Sequence, residues 1–411
     1  MQPSPATTLE SPMIVDNWQV TNRVMNSPAY GLLRLELKIS DAEALSGSLF
    51  EINFGGNSQS FKLQSLLLSD AQGNALLRLH LVTHLSPNGL QLLETRILLK
   101  DGSTQHLERI EFNVQNTGSL ASWVREDLKN YGTPPIISKY VDSRLFPRTQ
   151  GELMPWFNRS ENFVDVPLSM EPASSVLAAH QHLVRWGFTV LDYVIPKETI
   201  DAFRKEYENA IDQGQLKYKR GTSQRIQQAH RLPAGRKIWL DQTVLDFLSG
   251  WFRDEPCACQ TLLYVNGSEQ DAHQDTIHLT SYPDGYMCGV WVALQDIQSG
   301  SGELFVYPGS HRTPRVMTAD IGLPKVTDDY SSYVALTTRM HQILEKEGFQ
   351  RINYMPKAGQ ILVWHENLVH GGAKRVHPER ERHSIVSHYF ARGSVAYYDS
   401  RGEAAALERV E

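Results

Sequence analysis

Two histidines and one aspartate constrain the fold of this chain more than any other sequence feature. His273 and Asp275 are separated by one residue, and His370 lies far along the chain in the run Trp-His-Glu-Asn-Leu-Val-His-Gly-Gly. Two imidazoles and one carboxylate are the ligand set that holds a catalytic ferrous ion on one face. If the stretch around residue 273 is extended, side chains two positions apart project to the same side and can bind one metal ion. The third ligand must then come from a distant strand.

A single His-x-Asp pair is weak evidence, because the chain contains 15 histidines. Further runs accompany it, however: Asp-Ala-His-Gln-Asp-Thr-Ile-His-Leu-Thr from residue 271, Gly-Val-Trp-Val-Ala-Leu-Gln-Asp-Ile from residue 289, Ser-Gly-Glu-Leu-Phe-Val-Tyr-Pro-Gly-Ser-His-Arg from residue 301, Gly-Gln-Ile-Leu-Val-Trp-His-Glu-Asn-Leu-Val-His-Gly-Gly from residue 359, and Arg-His-Ser-Ile-Val-Ser-His-Tyr-Phe from residue 382. In order and spacing, these runs resemble the phytanoyl-CoA dioxygenase family of iron and 2-oxoglutarate-dependent oxygenases over residues 175–392.

The resemblance implies a double-stranded β-helix, a cupin-like jelly roll whose mouth holds the iron. His273, Asp275 and His370 match the iron triad of the family, and the implied cofactors are Fe(II), the cosubstrate 2-oxoglutarate and O₂. Arg382 matches the arginine that pairs with the distal carboxylate of 2-oxoglutarate. A guanidinium suits this role because it binds a carboxylate through two hydrogen bonds and is always charged.

Two more residues are candidates for binding the cosubstrate. Ser384 shares a face with Arg382 if both lie on a strand, and its hydroxyl could donate to the same carboxylate; a buried serine bonded to backbone is the alternative interpretation. Trp291 matches a family tryptophan that lines the cosubstrate cavity, although core packing explains a tryptophan on an apolar strand equally well.

Two other arginines, Arg375 and Arg380, compete with Arg382 for the carboxylate. Arg382 is favoured because it begins an apolar run and therefore lies at the start of a strand. The presence of Asp275 also bears on the reaction type. In halogenating relatives a small residue replaces this carboxylate, so Asp275 favours hydroxylation or another oxidation, such as desaturation.

The remaining histidines of these runs have other interpretations. His278 either approaches the metal site or ends a strand. His311, in a Pro-Gly-Ser-His turn, is expected to be structural, and His365 should face away from His370 on a regular strand. His388 is a strand histidine that the family carries without using it as a ligand.

Composition excludes several classes of protein. A chain of 411 residues suggests about two domains. The net charge of −6 gives no basic surface for nucleic acid. No apolar run is long enough to span a membrane, and the first residues lack the features of a signal peptide, so we expect a cytoplasmic protein without membrane insertion. Cys257, Cys259 and Cys288 are too few for a tetrahedral zinc site and are interpreted as core residues.

The N-terminal region is predicted to form a separate all-β module. After a flexible stretch, 1–29, apolar and polar residues alternate in several short segments of 30–114, a pattern typical of strands with one buried face. Turn signals such as Ser-Pro-Asn-Gly separate them, which indicates a β-sandwich-like accessory domain. It contains no candidate catalytic residues.

Residues 115–170 are predicted to be a proline-containing connector that packs on the catalytic domain, because they are rich in aromatic residues. The oxygenase domain spans 171–411, with supporting helices near 174–186 and 241–254. An insertion at 313–358 contains a helical stretch near 332–348 and is the expected source of substrate specificity.

The sequence therefore predicts a mainly β protein with helices, of the α+β class, in which an N-terminal β-sandwich-like domain precedes a C-terminal jelly-roll oxygenase acting on a small-molecule or carrier-linked metabolite. Two other classes of function remain. A jelly-roll lyase or isomerase with a bound, non-redox metal would not need Arg382, and a catalytically silent binding protein would have lost one of the three ligands. The substrate is not readable, and the sequence leaves open whether the chain forms a homodimer.

Overall fold

The computed structural model describes residues 18–22, 27–39, 42–43, 45–69, 73–148, 154–322 and 331–407. The chain forms two compact units, and each contains two separate segments. Unit 1 consists of Met1–Asn116 and Gly132–Val141, and unit 2 consists of Thr117–Tyr131 and Asp142–Glu411.

Unit 1 contains antiparallel strands and one short helix. These are β1 (Gln19–Val20), β2 (Leu32–Ile39), β3 (Leu49–Phe54), β4 (Asn57–Lys62), α1 (Leu63–Leu66), β5 (Leu67–Ser69), β6 (Ala75–Val82), β7 (Gly89–Leu98), β8 (Thr104–His106), β9 (Ile110–Val114) and β10 (Ile136–Ser138). One sheet has the order β1-β2-β6-β10 with β5 beside β6, and the other has the order β4-β3-β7-β8 with β9 beside β7.

Apolar and polar residues alternate along the strands, and the apolar ones form the core of unit 1. Leu33, Leu35 and Leu37 of β2 are buried, and residues of β3, β6 and β7 join them in one hydrophobic cluster to which both sheets contribute. The intervening polar residues lie on the outer faces, where Arg78 of β6 pairs with Glu36 of β2 at 2.7 Å. Apolar residues recur at every second position of these strands, and the same positions are buried in the structure.

Unit 1 differs from the sequence prediction at both of its ends. Within the stretch 1–29, which was expected to be flexible, β1 pairs with β2 and Trp18 is buried; residues 1–17 and 23–26 lie outside the described residues. The segment 115–170 was expected to be one connector, but β10 pairs with β6 of unit 1. A three-residue strand directly after Pro134-Pro135 has no alternation that could reveal it.

Unit 2 combines helices with three antiparallel sheets. Its elements are α2 (Ser119–Tyr131), α3 (Val176–Trp186), β11 (Phe188–Val194), α4 (Lys197–Asp212), β12 (Ile226–Gln227), α5 (Pro233–Trp239), α6 (Gln242–Phe252), β13 (Pro256–Tyr264), β14 (Leu279–Tyr282), β15 (Met287–Ala293), β16 (Leu304–Val306), α7 (Ser331–Glu347), β17 (Ile352–Tyr354), β18 (Gln360–His365), β19 (His370–Gly372), β20 (Ser384–Ala391), β21 (Val395–Tyr398) and β22 (Glu403–Ala404).

A six-stranded sheet and a three-stranded sheet share the core of unit 2. The strand orders are β11-β18-β15-β20-β13-β12 and β17-β16-β19, and a third sheet has the order β14-β21-β22. Trp291 and Leu362 of the six-stranded sheet lie in one buried cluster with Leu304 and Tyr354 of the three-stranded sheet. This is the mainly β architecture, with supporting helices, that the jelly-roll prediction requires. The three cysteines are buried thiols, as expected of core residues.

Local signals set the ends of the supporting helices. Ser175 caps α3 by accepting a hydrogen bond from the amide of Ala178, and Gly187 ends the helix with a left-handed φ of 79°. A side chain at Gly187 would also collide with the ring of His311. Asp241 caps α6 through the amide of Val244. Both helices agree with the ranges predicted from the sequence.

The segment that contains His273 and Asp275 corrects one expectation. It was predicted to be extended through both residues. His273 forms an isolated antiparallel bridge with His370, but the chain then turns, and Asp275 begins a single turn of 3₁₀ helix to Ile277. The amide of His278 closes this turn by donating to the Asp275 carbonyl at 2.8 Å. Side-chain alternation along a strand is therefore not what directs Asp275 toward the histidines.

None of the helices in the described part of the chain has the length and apolar character needed to cross a bilayer.

A buried ion pair joins loops of unit 2. Glu366, which follows β18, is fully buried and pairs with Arg315. It also accepts hydrogen bonds from the Ser281 hydroxyl and the Gly285 amide, each at 2.7 Å. Arg315 pairs in addition with Asp284 at 2.8 Å. Burial raises the pKa of Glu366 to about 7, although Arg315 pulls it in the opposite direction.

Arg315→Met should destabilise unit 2 by about 3–5 kcal/mol, because it leaves a buried carboxylate without its partner. A carboxyl whose folded pKa is raised stabilises the fold when protonated, and this contribution is lost as the pH rises through the folded value. The variant should therefore lose less stability at about pH 5 than at about pH 8. Urea unfolding at both pH values measures this.

Arg148→Met is the matched control. Arg148 pairs with Asp320 at the surface, with 79% of its side chain exposed, so its loss should change stability by less than about 0.5 kcal/mol. Equal stability of the parent and the Arg315→Met variant at the higher pH would contradict the assigned role of the buried pair.

Candidate metal and cosubstrate site

The structure brings His273, Asp275 and His370 together in unit 2. One ligand atom from each lies within 4.8 Å of the others, and all three residues are buried. Oδ1 of Asp275 is 3.7 Å from Nε2 of His273 and 3.6 Å from Nε2 of His370. The two histidines are held by their own backbones, since each amide donates to the other's carbonyl at 3.0 Å. This pair of hydrogen bonds joins two segments that are distant in sequence.

Backbone carbonyls fix which nitrogen each imidazole presents. Nδ1 of His273 is 2.8 Å from the carbonyl of Asp271, and Nδ1 of His370 is 3.0 Å from the carbonyl of Leu368. A carbonyl only accepts, so Nδ1 carries the proton in both rings and the Nε2 lone pairs face Asp275. Burial lowers the pKa of His273 to about 3, which keeps that ring neutral at pH 7. Neutral imidazoles are the form that binds a metal ion.

The two oxygens of Asp275 have different partners. Oδ1 faces the triad histidines, while Oδ2 accepts a hydrogen bond from the indole Nε1 of Trp364 at 2.7 Å and lies 3.3 Å from Nε2 of His388. Burial alone would raise the pKa of Asp275, but the neighbouring imidazoles, His370 first and then His388, outweigh it and leave the pKa well below its usual range. The carboxylate is thus ionised and oriented with one oxygen toward the histidines.

Space for the Trp364 indole comes from a glycine on the neighbouring strand. Gly289 of β15 is paired with Trp364 of β18. A Cβ on Gly289 would lie 2.2 Å from the indole ring, closer than real atoms approach. The residue opposite Trp364 must therefore be glycine if the indole is to reach Asp275.

The three residues proposed for the cosubstrate also lie together. Nη1 of Arg382 donates to the Ser384 hydroxyl at 2.6 Å. The centre of the guanidinium is 5.5 Å from the ring centroid of Tyr264 and 5.7 Å from that of Trp291. Tyr264 is a neighbour that the sequence analysis missed, and only its pairing with Ser384 in β13 and β20 could have revealed it.

Arg382 is a buried cation that forms no ion pair with the described carboxylates. Burial lowers its pKa to about 10, and Tyr264 and Glu303 counteract this only in part. Its Nε has no hydrogen-bond partner among the described residues, and no described carboxylate forms an ion pair with it. Burying a guanidinium without an anion is costly, so this environment suits a ligand that supplies a carboxylate.

The rival arginines have other partners. Arg375 lies near Glu269, with Nε 3.6 Å from a carboxylate oxygen, and donates to the carbonyl of Gly221. Arg380 donates to the carbonyl of Ser299. Both belong to the loop that precedes β20, where Arg375 keeps only 13% of its side chain exposed.

The other histidines occupy distinct positions. His278 stacks on Tyr333, with ring centroids 5.3 Å apart, and its Nδ1 is 3.0 Å from the Ser400 hydroxyl. His311 contacts the carbonyl of Val184 through Nε2. His365 lies beside His311 and away from the triad. His388 is not one of the three clustered ligands, but its Nε2 lies 3.3 Å from Oδ2 of Asp275, a contact that the sequence did not indicate.

The insertion helix α7 packs directly against the segments that carry the triad. Leu336, Met340 and Leu344 share a buried cluster with Ala272 and Val369, the residues next to His273 and His370. At the first turn of α7, the hydroxyl of Tyr333 accepts a hydrogen bond from Nε2 of Gln270 at 3.3 Å, and the same amide nitrogen is 3.1 Å from Nε2 of His273.

The donor set fits a ferrous ion. Two imidazole nitrogens and one carboxylate oxygen converge, which leaves the remaining positions of an octahedral ion for other ligands. The buried guanidinium of Arg382 is suited to a dicarboxylate cosubstrate. A closed tetrahedral site with four protein ligands, as structural zinc requires, is not formed by the described residues.

Comparisons with known proteins agree with this interpretation. The family model described as phytanoyl-CoA dioxygenase (PhyH) matches residues 183–383. Phytanoyl-CoA dioxygenase domain-containing protein 1 of Danio rerio is 40% identical over 75 residues, which cover 15% of this chain and 26% of that protein. The chain thus spans only about a quarter of the length of this relative.

Solved structures provide more distant similarities. The non-haem α-ketoglutarate-dependent carbocyclase SnoK from nogalamycin biosynthesis has a TM-score of 0.46 and 16% identity, covering 60% of this chain and 98% of SnoK. EctD from S. alaskensis, solved with bound Fe, has a TM-score of 0.39 and 21% identity, covering 57% of this chain and 83% of EctD. The family model itself spans two triad segments and Arg382. Residues 183–383 of the chain are thus similar to the phytanoyl-CoA dioxygenase family.

Proposed function

We propose that this chain is a 2-oxoglutarate-dependent non-haem iron dioxygenase that hydroxylates, or otherwise oxidises, an unactivated C–H bond of a small-molecule or carrier-linked metabolite, with release of succinate and CO₂. The observation that carries the proposal is the buried guanidinium of Arg382, which forms no ion pair with a described carboxylate, in the same unit as a buried three-ligand cluster. Arg382 would bind the distal carboxylate of 2-oxoglutarate.

Each part of the site would have a defined task. His273, Asp275 and His370 would hold the iron through Nε2, Oδ1 and Nε2. Bound iron would supply the activation of dioxygen that C–H oxidation requires. Ser384 would add its hydroxyl to the grip of Arg382 on the carboxylate, and Trp291 would form a wall of the cosubstrate cavity. Helix α7 would exclude water from the site.

Asp275 bears on the type of oxidation. Its Oδ1 faces the histidines and its Oδ2 is held by Trp364, so the carboxylate is in place to be a third ligand. A halogenating enzyme of this kind leaves that position to chloride. The arrangement therefore favours hydroxylation or desaturation over halogenation.

Two other functions make different predictions. A metal-dependent lyase or isomerase has no use for Arg382, and a silent binding protein has no need to keep a complete triad. Formation of succinate from 2-oxoglutarate in the absence of substrate would exclude both. A screen for metabolites that accelerate this uncoupled reaction would then identify the substrate class.

The purified chain should bind one Fe(II), and His273→Ala should abolish both 2-oxoglutarate turnover and stoichiometric metal binding, because one of three ligands is lost. His377→Ala is the control, since this histidine is partly exposed and lies near Glu379 in the loop before β20. Metal content and succinate formation are measured for all three proteins. Turnover that persists in His273→Ala, or after complete chelation, would exclude the assignment.

Arg382→Ala should raise the Michaelis constant for 2-oxoglutarate steeply, by an amount equivalent to roughly 2–5 kcal/mol, because it removes the partner of a desolvated carboxylate. Ser384→Ala should have a smaller effect of about 1 kcal/mol. Arg375→Ala and Arg380→Ala are matched controls from the same loop. If either control weakens 2-oxoglutarate binding and Arg382→Ala does not, the cosubstrate site has been placed on the wrong residue.

Trp364→Phe should weaken Fe(II) binding by about 10- to 100-fold, because losing a hydrogen bond to a ligating carboxylate typically costs that much. Trp364 acts through Asp275 and is therefore a positioning residue. The visible spectrum of the Co(II)-substituted protein should change with it, which a purely structural role would not cause. An unchanged spectrum and Fe(II) affinity, in a variant that unfolds at the parent temperature, would remove Trp364 from the site.

A further inference from the structure

Gln270 lies three residues before His273, in the segment that carries the first residue of the triad. Its backbone is held by β19, because the amide of Gly372 donates to the Gln270 carbonyl at 2.9 Å. A Cβ on Gly371 would lie 2.7 Å from the same carbonyl oxygen, closer than real atoms approach. The two glycines that follow His370 therefore allow the backbone of Gln270 to lie directly beside the strand of the other triad histidine.

The side-chain amide of Gln270 reaches the nitrogen of His273 that would bind a metal ion. The two Nε2 atoms are 3.1 Å apart. Because Nδ1 of His273 donates to the carbonyl of Asp271 at 2.8 Å, its Nε2 carries a lone pair and the Gln270 amide is the donor. The reverse orientation of the amide would place its oxygen against that lone pair, and neither atom could donate. A metal ion and the Gln270 amide consequently compete for one lone pair.

Helix α7 holds the same amide from the other side. An amide nitrogen has two hydrogens, and the second is donated to the hydroxyl of Tyr333 at 3.3 Å. Tyr333 is itself stacked on His278, with ring centroids 5.3 Å apart. Farther along the helix, Nε2 of His341 lies 2.9 Å from each carboxylate oxygen of Asp271. The helix thus contacts this segment at two successive residues, one of which is Gln270.

The Gln270 amide is within reach of ligands bound to the proposed metal ion. A bond between a metal and an imidazole nitrogen is about 2 Å long, so a metal on Nε2 of His273 would lie no farther than roughly 5 Å from the amide nitrogen. A metal–ligand bond followed by an ordinary hydrogen bond spans about this distance. Three protein ligands leave other positions of an octahedral ion open. The amide is therefore placed to donate to a non-protein ligand in one of them.

We infer that Gln270 is a further catalytic residue. Once a metal ion takes the Nε2 lone pair of His273, the released N–H donates to a substrate atom or another non-protein ligand at an open position of the metal. Tyr333 acts through Gln270 and is a positioning residue, because its hydroxyl keeps the amide in place. The inference rests on the proposed function in taking His273 as a metal ligand, and it adds a hydrogen-bond donor to the metal side of the site.

Spectroscopic titration of the full chain with Co(II), in place of Fe(II), tests this inference without turnover, and azide is the probe for the open position. Gln270→Leu removes the competitor for the His273 lone pair and should bind Co(II) roughly two- to tenfold more tightly. The same variant should bind azide, in its Co(II) form, roughly tenfold or more weakly, because a hydrogen bond to an anion is lost. Gln342→Leu, at an exposed position of α7, is the matched control and should equal the parent in both titrations.

The opposite directions of these two changes separate a catalytic role from a structural one, since a distorted site would lose affinity for both metal and azide. Tyr333→Phe keeps the amide and removes the hydroxyl that orients it. This variant should bind azide roughly threefold more weakly, with unchanged Co(II) affinity and a shifted visible spectrum of the azide complex. It carries the test if Gln270→Leu does not fold.

The outcomes distinguish the inference from the proposed function. The inference is overturned, and the proposed function stands, if the parent binds Co(II) but not azide, or if Gln270→Leu loses affinity for both or keeps the parent's affinity for azide. A parent chain that binds no Co(II) overturns both. If Arg382→Ala leaves 2-oxoglutarate binding intact while Gln270→Leu gives the two opposite changes, the proposed function fails and the role of Gln270 stands.

Discussion

The negative charge of Asp275, buried between two sheets, is the constraint on which the rest of the site depends. An ionised carboxylate in such a place must be compensated. The indole of Trp364 donates to one oxygen of Asp275, with His388 near it, whereas the other oxygen faces the two triad imidazoles, where a metal ion would supply the missing positive charge. These contacts require β18 and β20 to lie beside the 3₁₀ turn that carries Asp275. They also require a glycine opposite Trp364. The orientation of the Asp275 carboxylate therefore depends on how the strands of the sheet pack.

The interior of unit 2 contains a negative charge and a positive charge at different positions. Asp275 is an anion surrounded by imidazoles, whereas Arg382 is a buried cation surrounded by a hydroxyl and aromatic rings. The protein thus retains an anionic site that favours a cation and a cationic site that favours an anion. Each is destabilising by itself, and each would be relieved by a ligand of the opposite charge. Both charges are therefore already in position before a metal ion or an anionic cosubstrate would bind.

The sequence predicted the parts of the site that depend on residue type and order. Short motifs singled out the triad, Arg382 and Ser384, and the structure places them in two buried clusters, while their roles stay predictions. Apolar periodicity identified the supporting helices. The turn at Asp275 was missed, since one residue of spacing is compatible with both a strand and a 3₁₀ turn. The contacts of Trp364 and His388 with Asp275 could not be predicted, because they depend on which faces of β18 and β20 point inward and on the space left by Gly289.

The chain passes between its two units three times, because β10 returns to unit 1 after α2 has been formed in unit 2. During synthesis, the sheet of unit 1 cannot add β10 until residues 136–138 have left the ribosome, by which time all of α2 has already emerged. N-terminal domains usually fold first as the chain emerges, but here the first unit has to wait for a segment that lies beyond the beginning of the second. A fusion that used one contiguous piece of the chain for each unit would consequently remove β10 from unit 1 or α2 from unit 2.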